Sequence, residues 1–151
     1  MPSGGTRFQT PVWSLELAPG WRAEDCGDHV VILSDEPDTS LRLTSFDLPK
    51  KLTAAMWVEM VASTNRPMGR PVTEVKCGDF HGVRTEFSVM DSSVPPARDD
   101  EWLRGWALVC DRTPLDVTYR CPLWCAGRDD QVVVAMLATL EAGAVLRRTA
   151  P

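Results

Sequence analysis

Apolar and polar residues alternate along several short stretches of the chain, which is the pattern of half-buried β-strands. Residues Trp13–Leu17 alternate in this way, Val30–Leu33 is a short apolar run, and Leu41 and Leu43 alternate with polar neighbours. Pro19-Gly20 suits a type II turn, because proline presets φ and glycine accepts a positive φ. The first third of the chain is therefore predicted to form three strands.

The spacing then becomes helical. Thr53 is a good N-cap, and Asn65 and Pro67 end the pattern. The apolar stripe predicted for this helix consists of Met56, Trp57, Met60 and Val61.

A second helix is predicted near the end of the chain. It begins at Asp129 or Asp130, and Gly143 is a plausible stop. Its apolar face consists of Val133, Met136, Leu137 and Leu140.

Between the helices, alternation predicts four more strands, over residues 72–76, 83–89, 102–110 and 115–121. Turns are expected at residues 78–82 and 111–114, and a long polar loop at residues 91–100. Because short connections join neighbouring strands in the antiparallel sense, the sheet should be largely antiparallel.

The order β-β-β-α-β-β-β-β-α predicts an α+β fold, with a sheet of about seven strands covered by two helices. A chain of 151 residues suits a single domain, residues 1–151. Its core is expected over residues 12–141, with a flexible N-terminus and a flexible C-terminal tail.

This order and its landmarks resemble the PsbP-like superfamily. The group includes an extrinsic protein of photosystem II, a Ran-binding nuclear import factor and small bacterial chaperones of secretion effectors. The landmarks are the Pro-Gly-Trp opening in residues 17–21, the turn at 78–82, the late hairpin at 106–119 and the closing helix at 129–140. The resemblance implies a three-layer α/β/α sandwich and a protein-binding role.

Composition excludes some partners and favours one compartment. The net charge of −5 argues against nucleic acid and anionic membranes as partners, and Arg147-Arg148 is the only basic cluster. No apolar run is long enough to span a membrane, and residues 1–10 lack the apolar segment of a signal peptide. Together with five cysteines, an odd number that suits reduced thiols, this predicts a cytoplasmic protein.

Five side chains are candidates for a metal site or a nucleophilic centre. Cys121 and Cys125 form a C-x₃-C pair, and Cys77 and His81 could add two ligands across a turn. His29 and His81 are the only histidines available to activate a cysteine. Nothing in the sequence joins these pairs, and free cysteine is commonly buried and inert, so no metal and no cofactor are predicted.

The six tryptophans divide into two groups. Trp13, Trp57 and Trp106 fall on apolar faces and are predicted to be core residues. Trp21, Trp102 and Trp124 lie near turns or strand ends, where exposed rings would form a contact surface. The acidic residues Asp91, Asp99, Asp100 and Glu101 are interpreted as a solvated loop.

Three hypotheses about function follow. The first is a non-catalytic intracellular adaptor or chaperone-like domain that binds a protein partner through Trp21, Trp102 and Trp124, as a monomer or weak homodimer. The second is a small-molecule or metal-binding protein, or an enzyme, that uses Cys and His residues. The third is assembly through an exposed sheet edge, which predicts a dimer.

Overall fold

The computed structural model describes residues 6–36, 39–89 and 101–144. Several predictions lie outside these ranges: the flexible ends, the loop at 91–100 with most of its acidic residues, and the Arg147-Arg148 cluster.

Ten strands and two helices form the described fold. In chain order they are β1 (Thr6–Gln9), β2 (Trp13–Leu17), β3 (Arg22–Asp25), β4 (Val30–Leu33), β5 (Ser40–Ser45), α1 (Ala54–Asn65), β6 (Val72–Cys77), β7 (Phe80–Val89), β8 (Glu101–Cys110), β9 (Thr113–Pro122), α2 (Asp130–Leu137) and β10 (Glu141–Ala142). Short 3-10 turns follow α1 at Arg66–Met68 and β9 at Leu123–Cys125.

The strands form two antiparallel sheets. The larger sheet has seven strands in the order β3-β4-β5-β9-β8-β7-β6, and the smaller sheet has the order β1-β2-β10. In the centre of the large sheet, Tyr119 of β9 lies between Leu41 of β5 and Arg104 of β8. The α+β class is confirmed. The short strands β1, β3 and β10 were not predicted individually.

The inner face of the large sheet packs against α2 and the small sheet. Because side chains alternate along a strand, one set of residues from β4, β5, β8 and β9 points to this face. The set joins side chains of β2 and α2 in one continuous buried cluster. Its members include Trp13, Leu15, Ile32, Leu41, Leu43, Trp106, Leu108, Leu115, Val117, Val133, Met136 and Leu137.

Helix α1 covers part of the outer face, over β7, β8 and β9. The sequence-based prediction of its buried stripe was wrong in part: Met56 and Met60 are 50% and 55% exposed, whereas Ala54 and Ala62 are buried. Small residues allow the helix to approach the sheet closely, and the same helical period places the methionines toward solvent. Trp57 is half-buried and packs edge-on against Phe46, with ring centroids 5.2 Å apart.

The structure confirms the predicted signals at the ends of α1 but not those at the ends of α2. The predicted cap Thr53 accepts a hydrogen bond from the backbone N–H of Met56 at 3.1 Å, and α1 ends at Asn65 as predicted. The side chain of Asp129 makes no capping bond to α2. Gly143 does not end α2, which stops at Leu137; Gly143 instead lies against Pro11, where a Cβ would be 2.4 Å from the carbonyl oxygen.

The predicted turn at residues 78–82 is shorter in the structure. Strand β7 begins at Phe80, so only Gly78 and Asp79 form the turn, and Gly82 lies inside the sheet. The turn contacts the segment between α2 and β10, because the N–H of Asp79 donates to the carbonyl oxygen of Leu140 at 2.9 Å. This bond ties the β6–β7 hairpin to the inner layer. None of the helices in the described ranges is long and apolar enough to cross a membrane.

Candidate functional site

The most exposed large aromatic side chain in the described residues is Trp124. It lies in the 3-10 turn after β9 and is 74% exposed, and its neighbour Leu123 is 40% exposed. The guanidinium of Arg128 lies 6.0 Å from the centre of the Trp124 ring. We call Leu123, Trp124 and Arg128 the Trp124 platform.

Acidic residues hold Arg128 beside the ring. Its guanidinium lies 3.4 Å from Asp129 and 3.9 Å from Glu36, which follows β4. The hydrogen bond with Asp129 raises the pKa of Arg128 above its already high value. The Trp124 platform therefore combines apolar area with a permanent positive charge, a combination that is enriched at protein interfaces.

Beneath the Trp124 platform lies a row of polar side chains that we call the Tyr119 network: Tyr119, Cys121, Cys125 and Asp129. The buried hydroxyl of Tyr119 donates to Asp129 Oδ2 at 2.5 Å, which explains why Asp129 does not cap α2. Burial, followed by this hydrogen bond, raises the pKa of Tyr119 far above its usual range. The phenol therefore stays protonated and acts as a fixed donor.

A buried charge stands beside the Tyr119 network. Arg104 points inward from β8 and pairs with Glu86 of β7 at 2.7 Å and with Asp130 of α2 at 2.9 Å. Its guanidinium also lies 4.8 Å from the ring centre of Trp102, and Trp102 packs edge-on against Tyr119. Arg104 thus joins the sheet to the first residue of α2.

The three tryptophans predicted as contact residues lie at the same end of the large sheet. Trp21 immediately precedes β3. Trp102 lies opposite Cys121 of β9, and Cys121 comes three residues before Trp124 in the chain. Trp21 and Trp102 are half-buried and pack against the core, whereas Trp124 is exposed. Four strand spacings separate β3 from β8, about 19 Å. Trp21 therefore lies well away from the other two rings.

The structure does not bring Cys77 or His81 together with the Cys121–Cys125 pair. Cys77 lies inward at the edge strand β6, whereas His81 is exposed on β7. Cys121 lies at the opposite end of the sheet, about 27 Å away by the rise along a strand. Within residues 6–36, 39–89 and 101–144, no three His, Cys, Asp or Glu side chains form a group that could hold a metal ion.

A second concave surface lies on the outer face of β4, β5 and β9, beside α1. A single helix cannot cover seven strands, so this part of the sheet is lined by polar side chains. They enclose an open cavity of about 510 Å³. Its lining includes His29, Arg42, Thr44, Asp116, Thr118 and Arg120.

The charges in this cavity are mixed. His29 Nδ1 contacts Asp28 at 2.5 Å, and this hydrogen bond lowers the pKa of Asp28. Desolvation raises the pKa of Asp116, and the nearby Arg42 opposes that shift. Arg120 pairs with Glu101 at 3.3 Å. His29 is thus already hydrogen-bonded to Asp28. Arg42 lies near Asp116, and Arg120 pairs with Glu101.

Sequence reasoning missed two features of the site, Arg104 and the bond between Tyr119 and Asp129. Arg104 did carry a signal: it occupies an inward position between Trp102 and Trp106 in an alternating strand. A charge at such a position needs buried partners. The sequence did not indicate which carboxylates they are, because Glu86 and Asp130 come from different elements.

No family model matches the chain, and no curated protein sequence matches it. Solved structures do match. A crystal structure of a protein from Bacteroides thetaiotaomicron VPI-5482 has a TM-score of 0.67 at 15% identity, over 91% of this chain and 48% of that chain. The present chain therefore spans about half the length of that protein.

Two further structures match over nearly their whole length. The solution structure of cyanobacterial PsbP (CyanoP) from Synechocystis sp. PCC 6803 has a TM-score of 0.55 at 10% identity, over 94% of both chains. The Ran-binding protein Mog1p from Saccharomyces cerevisiae has a TM-score of 0.55 at 11% identity, over 95% of this chain and 98% of that chain. The resemblance predicted from the sequence is confirmed, and the chain has the fold of the PsbP-like superfamily.

Proposed function

We propose that this chain is a non-catalytic protein-binding domain, of an adaptor or chaperone-like kind, and that a partner docks on the Trp124 platform. The observation that carries the proposal is the 74% exposure of Trp124 beside the exposed Leu123. Water contact with so large an apolar ring is unfavourable, and burying it against a partner removes that contact. Tryptophan and arginine are both enriched among residues that dominate binding energy.

The fold likeness supports a protein partner in general terms. Mog1p, which shares the fold, is by its name a Ran-binding protein. The identity between the two chains is 11%, so the partner of Mog1p is not carried over. Trp21 and Trp102 stay predicted contact residues. Because both also pack on the core, their substitution would mix effects on stability with effects on binding.

The test is affinity purification of the tagged chain from its native cells, followed by quantification of each partner. Trp124→Ala should reduce recovery of the specific partner by roughly 30-fold or more, as expected for a residue worth 2 kcal/mol or more in binding. Met68→Ala is the matched control, because Met68 is 60% exposed but lies in the 3-10 turn after α1. Equal recovery of every partner by both variants and the wild type would contradict the proposal.

A further inference from the structure

Two of the five cysteines lie in direct contact with each other. Cys121 is the penultimate residue of β9, and Cys125 ends the following 3-10 turn. Both are free thiols and buried, and a hydrogen bond joins their side chains. Cys125 Sγ also donates to the carbonyl oxygen of Pro122 at 3.2 Å.

Backbone geometry brings these two side chains together. Pro122 is extended, with ψ of 148°, and the 3-10 turn then folds the chain back so that Cys125 faces Cys121. The remaining cysteines have no such neighbour. Cys77 and Cys110 lie on β6 and β8, with β7 between them, so their Cα atoms are about 10 Å apart. This separation is beyond disulfide reach. Cys26 is exposed in the turn after β3.

We propose that Cys121 and Cys125 form a dithiol site that reacts reversibly with small disulfides such as oxidised glutathione. In the first step the deprotonated Cys125 sulfur attacks one sulfur of the small disulfide. That S–S bond breaks, and one thiol leaves with the proton that Cys125 lost. In the second step Cys121 loses its proton and attacks the Cys125 sulfur of the mixed disulfide, which expels the second small thiol. Two hydrogens and two electrons thus pass from the protein to the small disulfide.

The positions of the two sulfurs assign their order of reaction. Cys125 follows the exposed Trp124 in a surface turn, so a local opening of that turn exposes its sulfur. Cys121 lies behind it in a central strand of the sheet. Burial, followed by the hydrogen bond with Cys125, raises the pKa of the Cys121 thiol to about 11. A thiol of high pKa is a poor first attacker at neutral pH but a strong nucleophile once deprotonated, which suits the second step.

Oxidation must also move the turn that carries Trp124. An S–S bond of about 2.05 Å replaces a longer hydrogen-bonded contact, and the Cys125 thiol loses the proton that it donates to Pro122. Because Trp124 immediately precedes Cys125, its ring should shift with the turn. Regulation of partner docking by this step rests on the proposed function of the Trp124 platform.

The test treats the folded, reduced chain with oxidised glutathione and maps disulfides by mass spectrometry after the free thiols are alkylated. The wild type and Cys110→Ser should both yield peptides that contain the Cys121–Cys125 disulfide. Cys125→Ser should yield none. The exposed Cys26 reports that the reagent works, because it should acquire glutathione in every sample. Glutathione on Cys26 without a Cys121–Cys125 disulfide in the wild type would overturn the proposal.

Partner binding by the oxidised and reduced chain then separates the two proposals. Binding that changes at least several-fold in the wild type, but not in Cys125→Ser, supports regulation by the dithiol. A mapped disulfide with unchanged binding excludes regulation and leaves the dithiol site standing. Unchanged binding by Trp124→Ala contradicts the proposed docking role, whatever the disulfide map shows.

Discussion

At the scale of single residues, Arg104 links two elements of the fold through buried ion pairs. Its charge is about nine-tenths buried and is balanced by Glu86 and Asp130, which come from β7 and α2. Within the described residues its Nε has no hydrogen-bond partner. Such a cluster costs free energy to desolvate, but removing the cation alone leaves two partly buried carboxylates without their partner.

We therefore predict that Arg104→Met lowers the free energy of unfolding by about 3 kcal/mol, because it removes one member of a buried ionic cluster. The matched variant is Arg120→Met, on the neighbouring strand. Arg120 pairs with Glu101 at 3.3 Å, but both side chains are about half exposed, so the loss should stay below about 1 kcal/mol. Urea denaturation of both variants measures the two values. Equal losses would contradict this account of Arg104.

At the scale of secondary structure, strong periodic patterns were predictable and short polar strands were not. The strands Trp13–Leu17 and Val30–Leu33 were predicted because their own side chains alternate or form an apolar run. Strand β3, with the sequence RAED, shows no such pattern and is held by pairing with β4. Helix α1 was predicted, but its buried face was not. The methionines and the alanines both recur at helical spacing, so spacing alone does not indicate which of the two sets faces the sheet.

Gly82 shows how packing between strands can constrain one position of an element. It lies within β7, and a Cβ there would be 1.8 Å from the carbonyl oxygen of Ala107 on β8. Backbone atoms of the paired strands β7 and β8 cannot move apart without loss of ladder hydrogen bonds. The sequence offered only a glycine near a turn, which is why the turn was predicted to extend to residue 82.

Gly82→Ala should accordingly destabilise the protein by about 3 kcal/mol, through separation of β7 from β8. Gly105→Ala is the control in the same sheet: a Cβ there meets the Thr85 side-chain oxygen at 3.3 Å, which a small adjustment relieves. Its effect should stay within about 1 kcal/mol. Thermal or urea denaturation compares the two variants. The interpretation fails if the Gly82 variant is as stable as the Gly105 variant.

At the scale of the whole molecule, the sequence predicted that Trp21, Trp102 and Trp124 lie near turns or strand ends, but it did not indicate which of these rings is exposed. Trp102 and Trp124 both lie near strand ends, and composition alone treats them alike. Trp102 points inward from a strand, toward Tyr119, whereas Trp124 lies in a 3-10 turn that leaves its ring outside. Their exposure depends on how β9, the turn and α2 fit together, and therefore on contacts between distant residues.

The packing of these layers also buries titratable groups in the core. The free energy of unfolding therefore depends on pH in the alkaline range. Cys77, at one end of the inner face, and Cys121, at the other, are both buried, and burial raises the pKa of each thiol from 9.0 to about 11. The pKa of Tyr119 is raised as well. Between about pH 9 and 11 the unfolded chain releases these thiol protons while the folded chain keeps them. Stability is therefore fully present below about pH 9 and falls as the pH rises toward 11.

We predict that the free energy of unfolding, measured in urea with a phosphine reductant, falls less steeply with pH in Cys77→Ala than in the wild type. A thiol whose pKa is raised by folding lowers the free energy of unfolding by about 1.4 kcal/mol for each pH unit above its pKa in the unfolded chain. Between about pH 8 and pH 10.5, the wild type should therefore lose roughly 2 kcal/mol more than Cys77→Ala. Comparing slopes removes the cost of the small cavity that alanine leaves, because that cost does not depend on pH. Cys26→Ala controls for loss of an exposed thiol. Parallel curves for the wild type and Cys77→Ala would show that burial of this thiol does not couple folding to pH.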